Sequence, residues 1–129
     1  MKTGISASDR IFTILNVSDI TNLLDGAIYK EEPLSELIYQ KRNITITNLP
    51  TVNDFINEHV VNVNIYVPDL KTGQSDESTL NTIAQAVISK LESYNATGDY
   101  YDLQVTANQN LKDEHNRSFV NIRVEINTE

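Results

Sequence analysis

The clearest periodicity in the chain lies between Leu80 and Leu91, where Leu80, Ile83, Ala84, Val87, Ile88 and Leu91 recur at spacings of three and four. On a helix of 3.6 residues per turn, these positions gather into one apolar stripe. Burying that stripe is worth on the order of 10 kcal/mol gross, at roughly 1.5–3 kcal/mol per large side chain, before the opposing conformational entropy is counted. A helix with one such face predicts a sheet beneath it. Asp76 and Glu77 suit its positively polarised start, and Asn95 and Gly98 its end.

Elsewhere the period is two. Val61, Val63, Ile65 and Val67 alternate with Asn62, Asn64 and Tyr66 until Pro68 and Asp69, which predicts a strand with one core face and one face turned to water or a partner. Ile44 and Ile46 alternate with Thr45 and Thr47, stopped by Pro50, and a loop is expected over 51–57. After the long helix, Tyr101, Leu103, Val105 and Ala107 alternate with Asp102, Gln104 and Thr106. Val120, Ile122, Val124 and Ile126 then alternate with Asn121, Arg123 and Glu125. These two runs predict a long hairpin whose polar tip is 108–117.

The N-terminal pattern is helical. Ser8 or Asp9 is placed to cap a turn carrying Ile11, Phe12, Ile14 and Leu15, and Ser18 or Asp19 restarts it with Ile20, Leu23 and Leu24. Gly26 is expected to close this region in the left-handed conformation, before a short strand of Ala27, Ile28 and Tyr29. Residues 34–41 fit either one helical turn or a loop tucking Leu34, Leu37 and Ile38 onto the core. Residues 70–78, with Lys71 and Gly73, have the composition of a flexible connector. The order α-β-β-β-α-β-β predicts one α+β domain over 1–129. It has a mainly antiparallel five-stranded sheet, an N-terminal helical region and the long amphipathic helix packed on one face.

Composition narrows the chemistry. The 129 residues suit one domain, and the absence of Cys removes disulfides, thiolate metal sites and thiol nucleophiles. Eighteen acidic residues against 10 basic ones give a formal −8, which opposes general capture of nucleic acid or anionic lipid. Ile5 and Ile11 are separated by Ser6, Ala7, Ser8, Asp9 and Arg10, so no signal-like apolar run is read, and no stretch approaches the roughly 20 apolar residues of a spanning helix. A soluble protein of the cytoplasm is expected. The four sequons, at Asn16, Asn43, Asn95 and Asn116, read as chance matches in a chain rich in Asn and Thr.

Catalytic patterns are missing. His59 and His115 read as solvated loop residues, because metal ligation needs three or four converging donors and neither has a second His or Cys at ligand spacing. The pairs Asp76–Glu77 and Asp113–Glu114 lack the alternating acids and glycine of a calcium loop. No nucleophile motif or phosphate-cradling run occurs, since Gly4, Gly26, Gly73 and Gly98 are isolated. Nothing selects a catalytic carboxylate pair from the 18 acids. Tyr39, Lys41 and Arg42 form only a thin match to a single-strand nucleic-acid platform, and Tyr94, Tyr100 and Tyr101 fit packing or a subunit contact better. No enzyme, cofactor or metal is expected.

The order of segments carries more. Arg10-Ile-Phe-Thr-Ile-Leu, Leu23-Leu-Asp-Gly-Ala-Ile-Tyr29, Asn43-Ile-Thr-Ile-Thr-Asn-Leu-Pro50 and Val61-Asn-Val-Asn-Ile-Tyr-Val-Pro-Asp69, followed by the amphipathic helix, together resemble the tail terminator (tail completion) proteins of long-tailed bacteriophages and prophages. The likeness covers nearly the whole chain, with the Gly26-x-Ile28-Tyr29 step and the alternating strand before the long helix as its most recognisable pieces. It implies a small structural subunit of a homo-oligomeric ring, commonly a hexamer, that caps the tail tube and meets the head connector. Its location would be the host cytoplasm during assembly and the tail of a functional virion. DNA would pass through the ring without specific binding.

The expected surfaces for neighbouring subunits or tube are the polar sheet face and the loops 51–58, 70–77 and 108–117. The residues singled out are Asn53, Asp54, Asn62, Asn64, Tyr66, Lys71, Asp76, Glu77, Lys112, Asp113, Glu114, Arg117 and Arg123. A head–tail connector or neck subunit shares the same ring logic. A stand-alone bacterial module binding a peptide or small ligand on its sheet face is the alternative from another class.

Overall fold

A computed structural model describes residues 11–30, 40–49, 57–95, 102–113 and 116–128. Two short helices open the described chain, residues 11–15 (α1) and Ser18–Thr21 (α2), followed by the two-residue strand β1 (Ile28–Tyr29). Then come β2 (Asn43–Leu49), β3 (Asn57–Pro68), the long helix α3 (Glu77–Asn95), β4 (Asp102–Asp113) and β5 (Arg117–Thr128). The architecture is α+β. Four long strands make the sheet in the order β2-β3-β5-β4, all neighbours antiparallel, and β1 lies parallel against β2 at the edge. The expected first strand is thus reduced to a step, because only Ile28 and Tyr29 find partners, Ile44 and Thr45.

The helical stripe behaves as its spacing requires. Leu80, Ile83, Ala84, Val87 and Leu91 are buried in one cluster with Ile44 and Ile46 of β2, Val61, Val63, Ile65 and Val67 of β3, and Val120, Ile122 and Val124 of β5. Ile11, Ile14, Leu15 and Ile20 join the same core, so α1 and α2 cover what α3 leaves open. Asp76 caps α3: its carboxylate accepts from the Thr79 backbone N–H at 3.3 Å and from the Thr79 hydroxyl at 2.8 Å. An Asp76→Ala variant is expected to lose about 1 kcal/mol, read as a lower urea midpoint in circular dichroism; an unchanged midpoint would deny the cap any energetic role.

The strands overrun their expected ends. β3 begins at Asn57 and pairs with β5 from its first residue, so Asn57 and Glu58 belong to the sheet and not to a loop. His59 likewise lies in β3, paired with Ile126, rather than in solvent-facing loop. Residues 108–113, expected in the hairpin tip, are β4, and Arg117 is the first residue of β5. Antiparallel pairing with a strand already held by β3 carries residues 110–113 into the ladder despite the poor strand propensity of Asn110, Lys112 and Asp113. The cost is one irregularity of register, between Ala107 and Asn110.

Gly26 is also differently used. Its φ is not in the left-handed region, and among the described glycines only Gly73 has a positive φ, 85°. What Gly26 supplies is proximity, since a Cβ there would collide with the Asn43 side-chain oxygen and sit 2.7 Å from the Arg42 carbonyl oxygen. Around it the chain is stapled. Gly26 donates to the Arg42 carbonyl at 3.0 Å, Ala27 donates to the Asn43 side chain at 3.0 Å, and Ile44 donates to the Ala27 carbonyl at 3.1 Å. The Asp25 carboxylate accepts from the Arg42 N–H at 2.6 Å. The proposed cap at Ser8 or Asp9, the segment 34–39, the loop 51–56, and Gly98, Tyr100 and Tyr101 lie outside the described residues.

Candidate assembly surface

With α3 on one side, the alternate residues of β2, β3 and β5 form the second sheet face, and the register fixes its rows. Asn43, Tyr66 and Phe119 share a row, Thr45, Asn64 and Asn121 the next, and Thr47, Asn62 and Arg123 the third. This face is not uniformly wet. Asn62, Asn64 and Asn121 are half-buried and Arg123 is exposed, but Asn43, Thr45 and Tyr66 are buried, the last against the expectation of a solvent- or partner-facing ring. Asn43 is spent on the staple, accepting from Ala27 and donating to the Lys41 carbonyl at 3.0 Å.

Arg117 departs furthest from its expected place in a polar loop. Only 1% of it is exposed, and its guanidinium carbon lies 3.9 Å from the centre of the Tyr66 ring. Strand pairing explains this, because Arg117 stands opposite Pro68, two residues beyond Tyr66, so its long stem folds over the aromatic face while the cation meets the ring's negative quadrupole. Phe119, paired with Tyr66 across the two strands, tilts against the same ring, with ring centres 5.1 Å apart. Asn121 donates to Asn64 at 2.6 Å, and the Asn64 amide reaches the Tyr66 hydroxyl at 3.5 Å. A polar and aromatic network therefore occupies one end of the face, and the open end carries Arg123, 3.6 Å from Glu125.

The connector after β3 is closed rather than loose. Ser118, fully buried, donates to the Asp69 carboxylate at 2.7 Å; its single hydrogen being used there, Ser75 is the donor in the 2.8 Å contact between the two hydroxyls. Asp69 donates its N–H to the Asn116 carbonyl at 2.9 Å, and Asn116 turns the hairpin with φ 59°. Gly73 makes the tight turn, donating to the Leu70 carbonyl at 2.8 Å.

Of the residues singled out from sequence, Asn62, Asn64, Tyr66, Arg117 and Arg123 share the second face by register. Lys71 and Glu77 are exposed at the connector, Asp76 caps α3, and Lys112 and Asp113 are β4 residues opposite Ser118 and Arg117. Asn53, Asp54 and Glu114 lie outside the described residues. Sequence reasoning passed over Phe119, Asn121 and Ser118; their only signal was the alternation of β5 itself.

A cleft of about 260 Å³ between α2 and the start of α3 is lined by Asn22, Leu23, Arg42, Ser78, Thr79, Thr82 and Ile83. Its two threonine hydroxyls are engaged locally, Thr79 with Asp76 and Thr82 with the Ser78 carbonyl at 2.9 Å, and Arg42 faces Asp25 at 3.6 Å. The described residues contain no group of three or more His, Cys, Asp or Glu able to hold a metal ion. Nor do they contain a helix long and apolar enough to cross a membrane. No family model matches the chain, and no curated protein matches its sequence.

Proposed function

We propose that this chain is a structural subunit of a phage or prophage virion, a tail terminator that forms a ring on the end of the tail tube and joins it to the head connector. The observation that carries the reading is the element order, with the tight Gly26 step into β1 and one long helix on one face of an open sheet. The half-wet second face adds support, for a surface rich in amides and carrying Arg123 suits contact with a neighbour that forms in water. A contact between unlike surfaces that closes by rotation gives a ring with no free end. The net −8 suits an acidic inner wall past which DNA slides without sticking; a channel lined by basic residues would contradict that part.

Light scattering combined with negative-stain imaging tests the reading. A rise in mass toward about six subunits with concentration, or rings on the ends of added tail tubes, is expected. A strict monomer at all concentrations, with tube ends left bare, would refute it.

A further inference from the structure

Among the described residues, both edges of the sheet carry stretches without a strand partner. An edge strand offers a row of backbone N–H and C=O groups, which proteins that remain apart guard with Lys, Pro or inward-pointing charge. On one edge β4 pairs only with β5 among the described residues, and neither a charge nor a proline occurs from Leu103 to Leu111. On the other edge β1 covers β2 only at Ile44 and Thr45. The outer side of residues 46–49 has no strand partner among the described residues, and these four are also uncharged. In a chain of formal −8, two copies approach most cheaply along segments without charge.

The registers put the two bare edges at one level. A row running through β3 and β5 joins Leu49 to Gln104, and three rows further on another joins Ile46 to Ala107. At the adjoining level two features coincide: β1 steps out beyond Ile44 and Thr45, and β4 has its register shift between Ala107 and Asn110. Such an irregularity bends its strand, here where a straight neighbour would run into β1. The directions agree as well. Three antiparallel pairings separate β2 from β4, so the two run in opposite senses and a head-to-tail junction between them is itself antiparallel.

We propose that subunits join edge to edge, residues 104–107 of β4 in one copy adding antiparallel to the outer side of residues 46–49 of β2 in the next, so that the sheet continues around the ring. The inference rests on the ring reading above and names the surface that makes the ring. A twofold β4-to-β4 contact would leave the β2 edge bare and could not propagate.

The absence of Cys from the chain permits a direct test. Thr47 and Thr106 share a row through Asn62 and Arg123. Within one subunit three strand spacings of ~4.8 Å separate them by about 14 Å, twice the ~7 Å limit for a disulfide. A chain carrying both Thr47→Cys and Thr106→Cys can therefore cross-link only between copies. Mild oxidation is expected to give a covalent ladder ending at the ring size on a non-reducing gel, with neither single variant forming dimers. Dimers from Thr106→Cys alone would show β4-to-β4 pairing and overturn the inference. No ladder from a chain whose wild type forms rings would also overturn it, while leaving the ring reading intact. No rings from the wild type, even on tube ends, would defeat both. As an independent readout by light scattering, Thr106→Lys is expected to weaken association at least ~10-fold, and adding Thr47→Glu to restore most of it, because the two charges then face each other across the junction. Unchanged association of Thr106→Lys overturns the proposal.

Discussion

Gly26→Ala is expected to cost about 2–4 kcal/mol of stability, seen as a lower urea midpoint at unchanged m-value. The cause is steric and local. The new methyl group would collide with the Asn43 side-chain oxygen and press on the Arg42 carbonyl 2.7 Å away. Relief by moving Asn43 surrenders its bonds to Ala27 and Lys41, in a residue only 1% exposed. Combining Gly26→Ala with Asn43→Ala should accordingly cost less than the sum of the two single changes, since the second removes part of the clash created by the first. Wild-type stability of Gly26→Ala would mean that the staple between residues 25–27 and 41–44 is pliable and that the glycine is not needed for close approach.

Arg117→Ala is expected to be similarly severe, about 2–4 kcal/mol, because it removes a desolvated cation over an aromatic ring together with the packing of its stem. At 1% exposure, with 3.9 Å from guanidinium carbon to ring centre, little water screens the contact. A double-mutant cycle with Tyr66→Leu isolates the pair, and a coupling of about 1–2 kcal/mol that survives 1 M salt is the expected result. Coupling indistinguishable from zero would reduce Arg117 to a space-filling residue. The surface pair of Lys90 and Asp19, 3.1 Å apart between α3 and α2, makes the contrast: Asp19 is largely exposed, and little effect is expected from breaking the pair.

The two predictions fall on opposite sides of what could be read in advance. Helix α3 was legible because its stripe is a local property: any chain with Leu80, Ile83, Ala84, Val87 and Leu91 at those spacings has one apolar face to bury. The core faces of β3 and β5 were legible for the same reason at period two, as was the α+β class that follows from combining them. Local chemistry also marked Gly26 as special while misassigning the cause. A left-handed turn and a close approach both select glycine, and only the distance to Asn43, 17 residues along the chain, separates them.

The candidate surface was legible as a face but not as a set of environments. Alternation placed Asn62, Asn64 and Tyr66 together, yet nothing near Tyr66 in the chain announces that Arg117 will cover it. That outcome depends on β5 pairing with β3 in one particular register, which brings residues 51 positions apart into contact. The extension of β4 beyond its irregularity, from Asn110 to Asp113, is likewise imposed by its partner, against the preference of Asn110, Lys112 and Asp113.

What the sequence by itself determined is therefore the periodic part: one long amphipathic helix, alternating strands, their order, and a chain of strongly negative charge with no thiol. The tertiary structure alone decided where the strands end, which polar side chains are buried, and, among the described residues, which strand edges lack a partner and at what level. The physical reason is that periodicity records which way each side chain points, whereas burial and pairing depend on what arrives from elsewhere in the chain to meet it.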